Sequence, residues 1–291
     1  MIGAMRQNRV FWLAVLISSA RAWPPATAAA QGVTIAPPVV ILDHRQRGGS
    51  LELFNVRNEP VEVSISLAYG FPVSDSCGFV DVRLMDAVPS SEPAATPWVD
   101  VYPRRIMIMP GQRQTIRFLA RPPTDLPDRE YWSRVIVTSG GAAIPVVTGD
   151  TSSGITVALN VTLRTITTLL YRKGSLQTAL SVHDVRTSVA GDSLVVRAVL
   201  TPSGTAAWLG TVRGTLRSPE GRVVGRFERP MGIYYTLDPS FAIPLDRRMA
   251  SGTYRLTVDA VTERPDLPRS SLVRAPDVSA SMDIQIAQRP D

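Results

Sequence analysis

The chain has 291 residues, with 31 basic and 25 acidic side chains, 24 prolines, two histidines and one cysteine. Two histidines and one thiol exclude the usual four-ligand zinc sites, and a lone Cys77 excludes an intramolecular disulfide framework. Of the basic residues only Lys173 is lysine, and no Lys/Arg cluster is interleaved with aromatics, which argues against nucleic-acid binding.

Residues 1–30 read as a cleaved secretory signal peptide. Arg6 and Arg9 form a basic start, and Phe11–Ile17 is apolar but far shorter than the roughly 20 residues of a membrane span. Small residues then lead to Ala28-Ala29-Ala30, the pattern of a cleavage site. Arg6, Arg9 and Arg21 leave with that leader while all 25 acids stay, so 28 − 25 leaves +3 on the remainder. No later run is apolar enough to span a membrane, and the expected location is the periplasm.

From there on, apolar and polar residues alternate with period two, and turn residues separate the runs. Leu51–Val56 and Val61–Leu67 read as adjacent strands joined by Arg57-Asn58-Glu59-Pro60. Strands follow at Arg105–Met109, Gln114–Leu119 and Trp132–Thr138, with Pro110-Gly111 as a turn between the first two. Residues 140–154 hold four glycines and little patterning, and read as a mobile connection. A long run from Ile155 to Tyr171 closes this half.

Beyond Arg172-Lys173-Gly174 a second block shows strands at Ser193–Leu200, Leu209–Leu216, Arg222–Phe227, Ser240–Ile243, Gly252–Ala260 and Met282–Ile286. Ser218-Pro219-Glu220-Gly221 reads as a tight turn, and Glu263–Val278 as an exposed loop. No sustained helical stripe appears, and prolines spread along the chain disfavour long helices. The expected fold is all-β: two immunoglobulin-like sandwiches in tandem, 31–173 and 174–291, after the leader.

The run beginning at Ile155 carries the candidate binding site. Ile155, Val157, Leu159, Val161 and Leu163 share one parity, and Thr156, Ala158, Asn160, Thr162 and Arg164 the other. Strand side chains alternate between faces, so five aliphatics line one face. Their burial is worth on the order of 7–15 kcal/mol. Either the domain's own second sheet or a foreign segment must cover them.

Four stretches, in this order, resemble the periplasmic chaperones of pilus and fimbria assembly, the chaperone–usher type. They are Val33–Asn55 with Asp43 and its Ser-Leu-x-Leu-x-Asn strand, Tyr102–Arg117 with its Pro-Gly turn, Leu126–Glu130, and Leu169-Leu170-Tyr171-Arg172. The resemblance implies two sandwiches set at an angle and a client subunit held beside the cleft. It also implies that the last strand of the first domain pairs edge-on with pilin-like exported subunits, the strand-addition mode of recognition, and that an outer-membrane usher receives them. On this basis the partner-binding residues are Ile155, Val157, Leu159, Val161, Leu163, Arg164 and Arg172. Members usually hold the client's terminal carboxylate with two basic residues, and Val39 and Thr168 stand at those places here. Arg164, Arg172 or Lys173 is then a substitute, with an ion pair between the domains as the other role for Arg172. An unpaired apolar edge is an aggregation hazard, so a self-capping dimer, or the 140–154 segment folded over it, is a way to cover the free protein.

No constellation points to catalysis or to a cofactor. His44 and His183 lie in different halves, and His183-Asp184 are neighbours expected on opposite strand faces, without a Gly-x-Ser-x-Gly elbow. Cys77 reads as an idle loop thiol or a buried small residue, and Trp98 and Trp132 as core or junction residues. The rival reading is a structural or adhesive tandem of immunoglobulin-like surface domains, separated from the chaperone by the long alternating strand and the Leu-Tyr-Arg ending.

Overall fold

The computed structural model describes residues 32–140, 143–148, 155–246 and 249–287, and their side chains outside 141–160. The period-two runs become strands throughout. In chain order they are β1 (Val33–Ala36), β2 (Val39–Asp43), β3 (Gly48–Asn55), β4 (Val61–Ser74), β5 (Val80–Met85), β6 (Val99–Tyr102), β7 (Arg105–Ile108), β8 (Arg113–Ala120) and β9 (Glu130–Ser139). Next come β10 (Ala143–Thr148), β11 (Ile155–Asn160), β12 (Leu163–Arg172) and β13 (Thr178–Ala190). The last six are β14 (Ser193–Gly204), β15 (Trp208–Arg217), β16 (Val223–Ile233), β17 (Ser240–Pro244), β18 (Gly252–Val261) and β19 (Val278–Ile286). Among the described residues the helical turns are short 3₁₀ segments, Thr96–Trp98 and Arg269–Ser271, and no helix is long and apolar enough to cross a membrane.

Two sandwiches result. The first faces a sheet ordered β1-β3-β8-β6 against one ordered β2-β12-β9-β4-β5, with β7 also on β4. The second faces β13-β14-β17 against β16-β15-β18-β19. Both have the strand arrangement of immunoglobulin-like domains. Each has its own core. Leu51, Leu53, Val63, Ile116, Val135 and Tyr171 anchor the first, and Val196, Trp208, Val212, Leu216, Leu256 and Val258 the second. The chain passes from one to the other through Gly174, at φ +70°, where a Cβ would collide with Asp128.

A third cluster lies between the sandwiches: Tyr69, Trp132 and Leu170 from the first meet Leu209, Leu267 and Leu272 from the second. This corrects the expectation for 263–278, since Leu267 and Leu272 are buried in the junction. Apart from those two leucines the segment is exposed or half-buried, as expected of a surface loop. Strands β1, β2, β5, β6 and β13 were not among those read from the patterning. Residues 143–148 also form a strand, β10, paired antiparallel with β11, where a patternless connection was expected.

Turns match their chemistry. Gly111 (φ +67°) follows Pro110, with Gln112 N–H donating to the Met109 carbonyl at 3.1 Å, and Gly221 N–H donates to the Ser218 carbonyl at 2.8 Å. The β3–β4 connection is organised by Asn55, which is fully buried. Its amide donates to the carbonyls of Glu59 and Ile108 at 2.8 and 2.9 Å, and its oxygen accepts from Arg57 N–H at 2.9 Å. Burying an amide is tolerable only when its bonds are made, and here one side chain satisfies three backbone groups. Asn55→Ala leaves those groups without their partner and should lower the unfolding free energy by about 1–3 kcal/mol, read as a lower urea midpoint at unchanged slope.

Candidate functional site

The margin of the sheet containing β12 is set by the N-terminal strand. β1 pairs with β3 in one sheet, and β2 pairs in parallel with β12 in the other, so the chain changes sheet at Ala36–Val39. Pro37 and Pro38 occupy that crossing; without N–H groups they cannot extend either ladder. The β2–β12 ladder therefore begins at Thr168↔Val39 and runs to Arg172↔Asp43. On its other side β12 pairs with β9 along its whole length, from Leu163↔Ser139 to Arg172↔Glu130. Thr168–Arg172 are thus enclosed by backbone on both sides, while among the described residues Leu163–Thr167 are paired on one side only. The Thr167 hydroxyl, donating to the Pro38 carbonyl, marks the point where cover ends.

The run expected as one strand from 155 to 171 is two, broken at Val161-Thr162. β10 and β11 extend the β9–β12 hairpin with a one-residue change of register, since Leu163 faces Ser139 while Asn160 faces Ala143. That offset is the count of a bulge. Ile155, Val157 and Leu159 stand opposite Thr148, Val146 and Ile144; their side chains fall outside the described residues. Val161 is half-buried, and Leu163 and Arg164 are exposed. Leu163 shares its parity with Leu169 and Tyr171, which enter the first core. A Cβ on Gly32 (φ +126°) would lie 2.4 Å from Leu163 Cδ2, so that glycine makes room for the leucine. The described end of the apolar row therefore lies against the protein's own backbone at Gly32, just before β1, while staying exposed.

Arg172, expected in the binding row, is otherwise engaged. Its Nε donates to Glu130 Oε2 at 2.8 Å and its Nη1 to the Ser271 carbonyl of the second sandwich at 2.6 Å. Glu130 is buried and accepts a further bond from Ala207 N–H at 3.2 Å. Burial pushes the Glu130 carboxyl above its ordinary range despite the attraction of Arg172. Lys173 is also occupied, donating to the Leu126 carbonyl. These contacts fasten the end of β12 to the junction.

Trp132 and Arg134 of β9 and Leu170 of β12 turn toward the second sandwich. Arg134 faces Thr168 and Trp132 faces Leu170 across the ladder. Arg134 is only 4% exposed. Its Nε donates to the Gly70 carbonyl at 2.9 Å, its Nη1 donates to Thr168 Oγ1, and its guanidinium lies 4.6 Å over the Tyr234 ring. The Trp132 indole N–H shares the Gly70 carbonyl at 3.0 Å. Nearby, Tyr69 and Tyr235 both donate to Glu92 Oε2, with Tyr69 at 2.6 Å and the two hydroxyls 3.0 Å apart. Burial and the adjoining carboxylate push Tyr235 up to about 12 and Tyr69 further in the same direction.

Sequence reasoning missed Arg134. The one available signal is that Glu130–Val137 does not alternate, as expected for a strand covered on both faces; residues 130–137 are all buried. His183 and Asp184 touch at 3.3 Å, contrary to expectation, because a register shift lies there and Asp184 takes φ +50°. Both are exposed, so the contact forms no site. Cys77 is exposed, Trp98 packs on the first core, and Trp132 belongs to the junction. Among the described residues no group of three His, Cys, Asp or Glu could hold a metal ion.

No family model and no curated protein matches the chain. Solved structures do. A crystal structure of the YadV chaperone is similar at 16% identity and TM-score 0.41, covering 86% of this chain and 99% of that one. The CsuC–CsuE chaperone–tip adhesion subunit pre-assembly complex of Acinetobacter baumannii gives 12% identity and TM-score 0.41, covering 85% and 97%. The Salmonella enterica SafA pilin–SafB chaperone complex gives 16% and 0.37, covering 88% and 96%.

Removing Arg172 would strand a buried carboxylate. Arg172→Ala should cost about 3–5 kcal/mol in urea unfolding at neutral pH, and much of that loss should be recovered by adding Glu130→Gln. The raised carboxyl also sets a sign. The stability Glu130 contributes is fully present below the ordinary carboxylate value and is lost as pH rises through the raised one. Glu130→Gln should flatten that fall.

Proposed function

We propose that this protein is a periplasmic chaperone that holds exported, pilin-like subunits by lending them the edge of the last strand of its first domain. The single observation that carries this reading is the half-paired stretch Leu163–Thr167, continuous in sequence with the β10–β11 hairpin. A strand paired on one side presents unmet N–H and C=O groups, which a foreign segment can bond in the strand-addition mode. The apolar residues of 155–163 then supply side-chain cover. Two domains spanning 31–173 and 174–291 behind a leader of 1–30, and delivery to an outer-membrane usher, belong to the same proposal, as does self-capping of the free protein through this edge.

The junction supports the reading mechanically. A strand that must hold a client without the two sandwiches drifting apart needs a fixed base, and β12 ends in the Glu130–Arg172–Ser271 network and the Leu170 contact. Backbone pairing makes affinity largely independent of client sequence, while side chains at alternate positions tune it.

The test is co-purification from periplasm of cells expressing the intact chain, with identification of what comes down. The Leu159→Asp/Val161→Asp variant should lose at least about ten-fold of the captured client, the scale of one to two buried aliphatic contacts, while keeping its urea midpoint. Unchanged capture by that variant would sink the proposal.

A further inference from the structure

The second sandwich has an open flank. Among the described residues β16 pairs only with β15 and β17 only with β14, and the two edge strands meet at Phe227 and Phe241, whose rings stack 4.3 Å apart. The tip of the β4–β5 hairpin of the first sandwich reaches across to this flank. Ser240 N–H donates to the Gly78 carbonyl at 2.8 Å, Asp238 N–H to Ser74 Oγ at 2.9 Å, and Arg197 Nη1 to the Ser76 carbonyl at 2.6 Å. Gly78 (φ +83°) permits the approach, since a Cβ there would lie 2.7 Å from the Ser240 nitrogen. Between the hairpin and the two edges lies a cavity of about 480 Å³, the size of a small-molecule site. The hairpin bonds fix its walls in advance, which lowers the cost of filling it.

The lining is apolar with one charge. Phe79 and Val80 of the hairpin meet Val195, Met231 and Phe241 of the second sandwich, and among the described residues around the cavity Arg229 is the single charged side chain. Phe79 is 68% exposed, so one aromatic wall still faces water. Arg229 stands opposite the fully buried Val212 and shares its strand face with Phe227 and Met231, which pack on the second core. It has no hydrogen bond or ion pair among the described residues, and the adjoining acid, Glu228, is bonded to Arg213. A charge on the inner face of an edge strand can serve to block edge-to-edge pairing. That role requires no cavity beside it, whereas an unmet cation at the mouth of an apolar cavity matches a ligand with an anionic head.

We propose that this cavity takes up a single-chain amphiphile of the medium-chain carboxylate class, with its chain between Phe79 and Met231 and its head on Arg229. The ligand is a free molecule and not a bilayer, because a charged membrane surface is held by a cluster of basic residues and the lining offers one. The cavity is separated from β12 by strands β9 and β4 in the sheet order. It therefore goes beyond strand addition and does not rest on it.

Decanoate and decyltrimethylammonium, equal in chain and opposite in head, are titrated calorimetrically into the full chain below their micelle concentrations. Decanoate should bind about ten-fold more tightly than the cation, the scale of an exposed ion pair gained against one repelled. Arg229→Glu should reverse that order. Ala242→Trp, which fills the cavity from its rim, should abolish uptake of both, and each variant should keep the urea midpoint of the unaltered chain. Should Ala242→Trp not fold, Phe79→Ser removes one wall and should weaken decanoate by about ten-fold. Equal binding of the two heads, an order that survives in Arg229→Glu, or uptake retained in Ala242→Trp overturns the proposal. Failure of both amphiphiles to bind overturns it too, and leaves Arg229 as a guard of the strand edge. Sedimentation with phosphatidylglycerol vesicles in place of decanoate uptake overturns it in favour of a membrane surface. None of these outcomes touches the capture of exported subunits, which is read separately by co-purification.

Discussion

Everything distinctive about this molecule follows from where the ladder between β2 and β12 starts. Two prolines carry the chain from one sheet to the other, and neither can donate a backbone hydrogen bond. Cover of β12 therefore begins at Thr168 and no earlier. Had Ala36–Pro38 been ordinary strand residues, β2 could have continued along Leu163–Thr167 and closed the margin. As it stands, the same strand is interior at one end and an edge at the other, with the transition inside a single turn of pleat. An exposed edge is a hazard that folded proteins normally blunt, and retaining one is informative for that reason.

The junction between the sandwiches gives that edge a rigid footing. Linked immunoglobulin-like domains are expected to move relative to one another unless the surface between them is large and apolar. Here Tyr69, Trp132 and Leu170 meet Leu209, Leu267 and Leu272, and a buried Glu130 bonds both Arg172 and the backbone at Ala207. Both kinds of contact fall on strands β9 and β12 or directly beside them. Restraint is thus concentrated at the closed end of the strand whose other end is open. Such a layout holds that edge in one orientation without covering it.

Much of the fold was legible from residue patterning, because half-buried strands write their faces into the sequence. Leu51-Glu52-Leu53 and Val61-Glu62-Val63 alternate as their burial does. The failures have particular causes. β13 changes phase at His183–Arg186, where the register shifts, so its pattern reads as two fragments. β10 carries Pro145, a residue that ordinarily argues against a strand. Leu267 and Leu272 sit among prolines and arginines, a local composition that gives no sign of a tertiary surface fitting over them. The candidate site was legible in part: the alternation marks strand at 155–171, but the break at Val161-Thr162 and the portion of the margin left open depend on pairing, the latter with a parallel partner more than a hundred residues away. Arg134 was invisible because its burial comes from the second sandwich, and a lone arginine in an apolar run looks the same whether it points to water or to Tyr234.

A protein selected for stability alone would not keep that arginine as it is. Its neighbours on β9, Val135 and Ile136, are buried apolar residues, and the ring of Tyr234 lies against its guanidinium. Hydrogen bonds to Gly70 and Thr168 and the ring of Tyr234 reduce the cost of burying the charge, yet leave one donor idle. Replacing a buried ion by apolar side chains is often neutral or stabilising, and groups kept against that gradient tend to serve function. The open margin and the idle donor are the same kind of feature: each is a polar group left without a partner among the described residues.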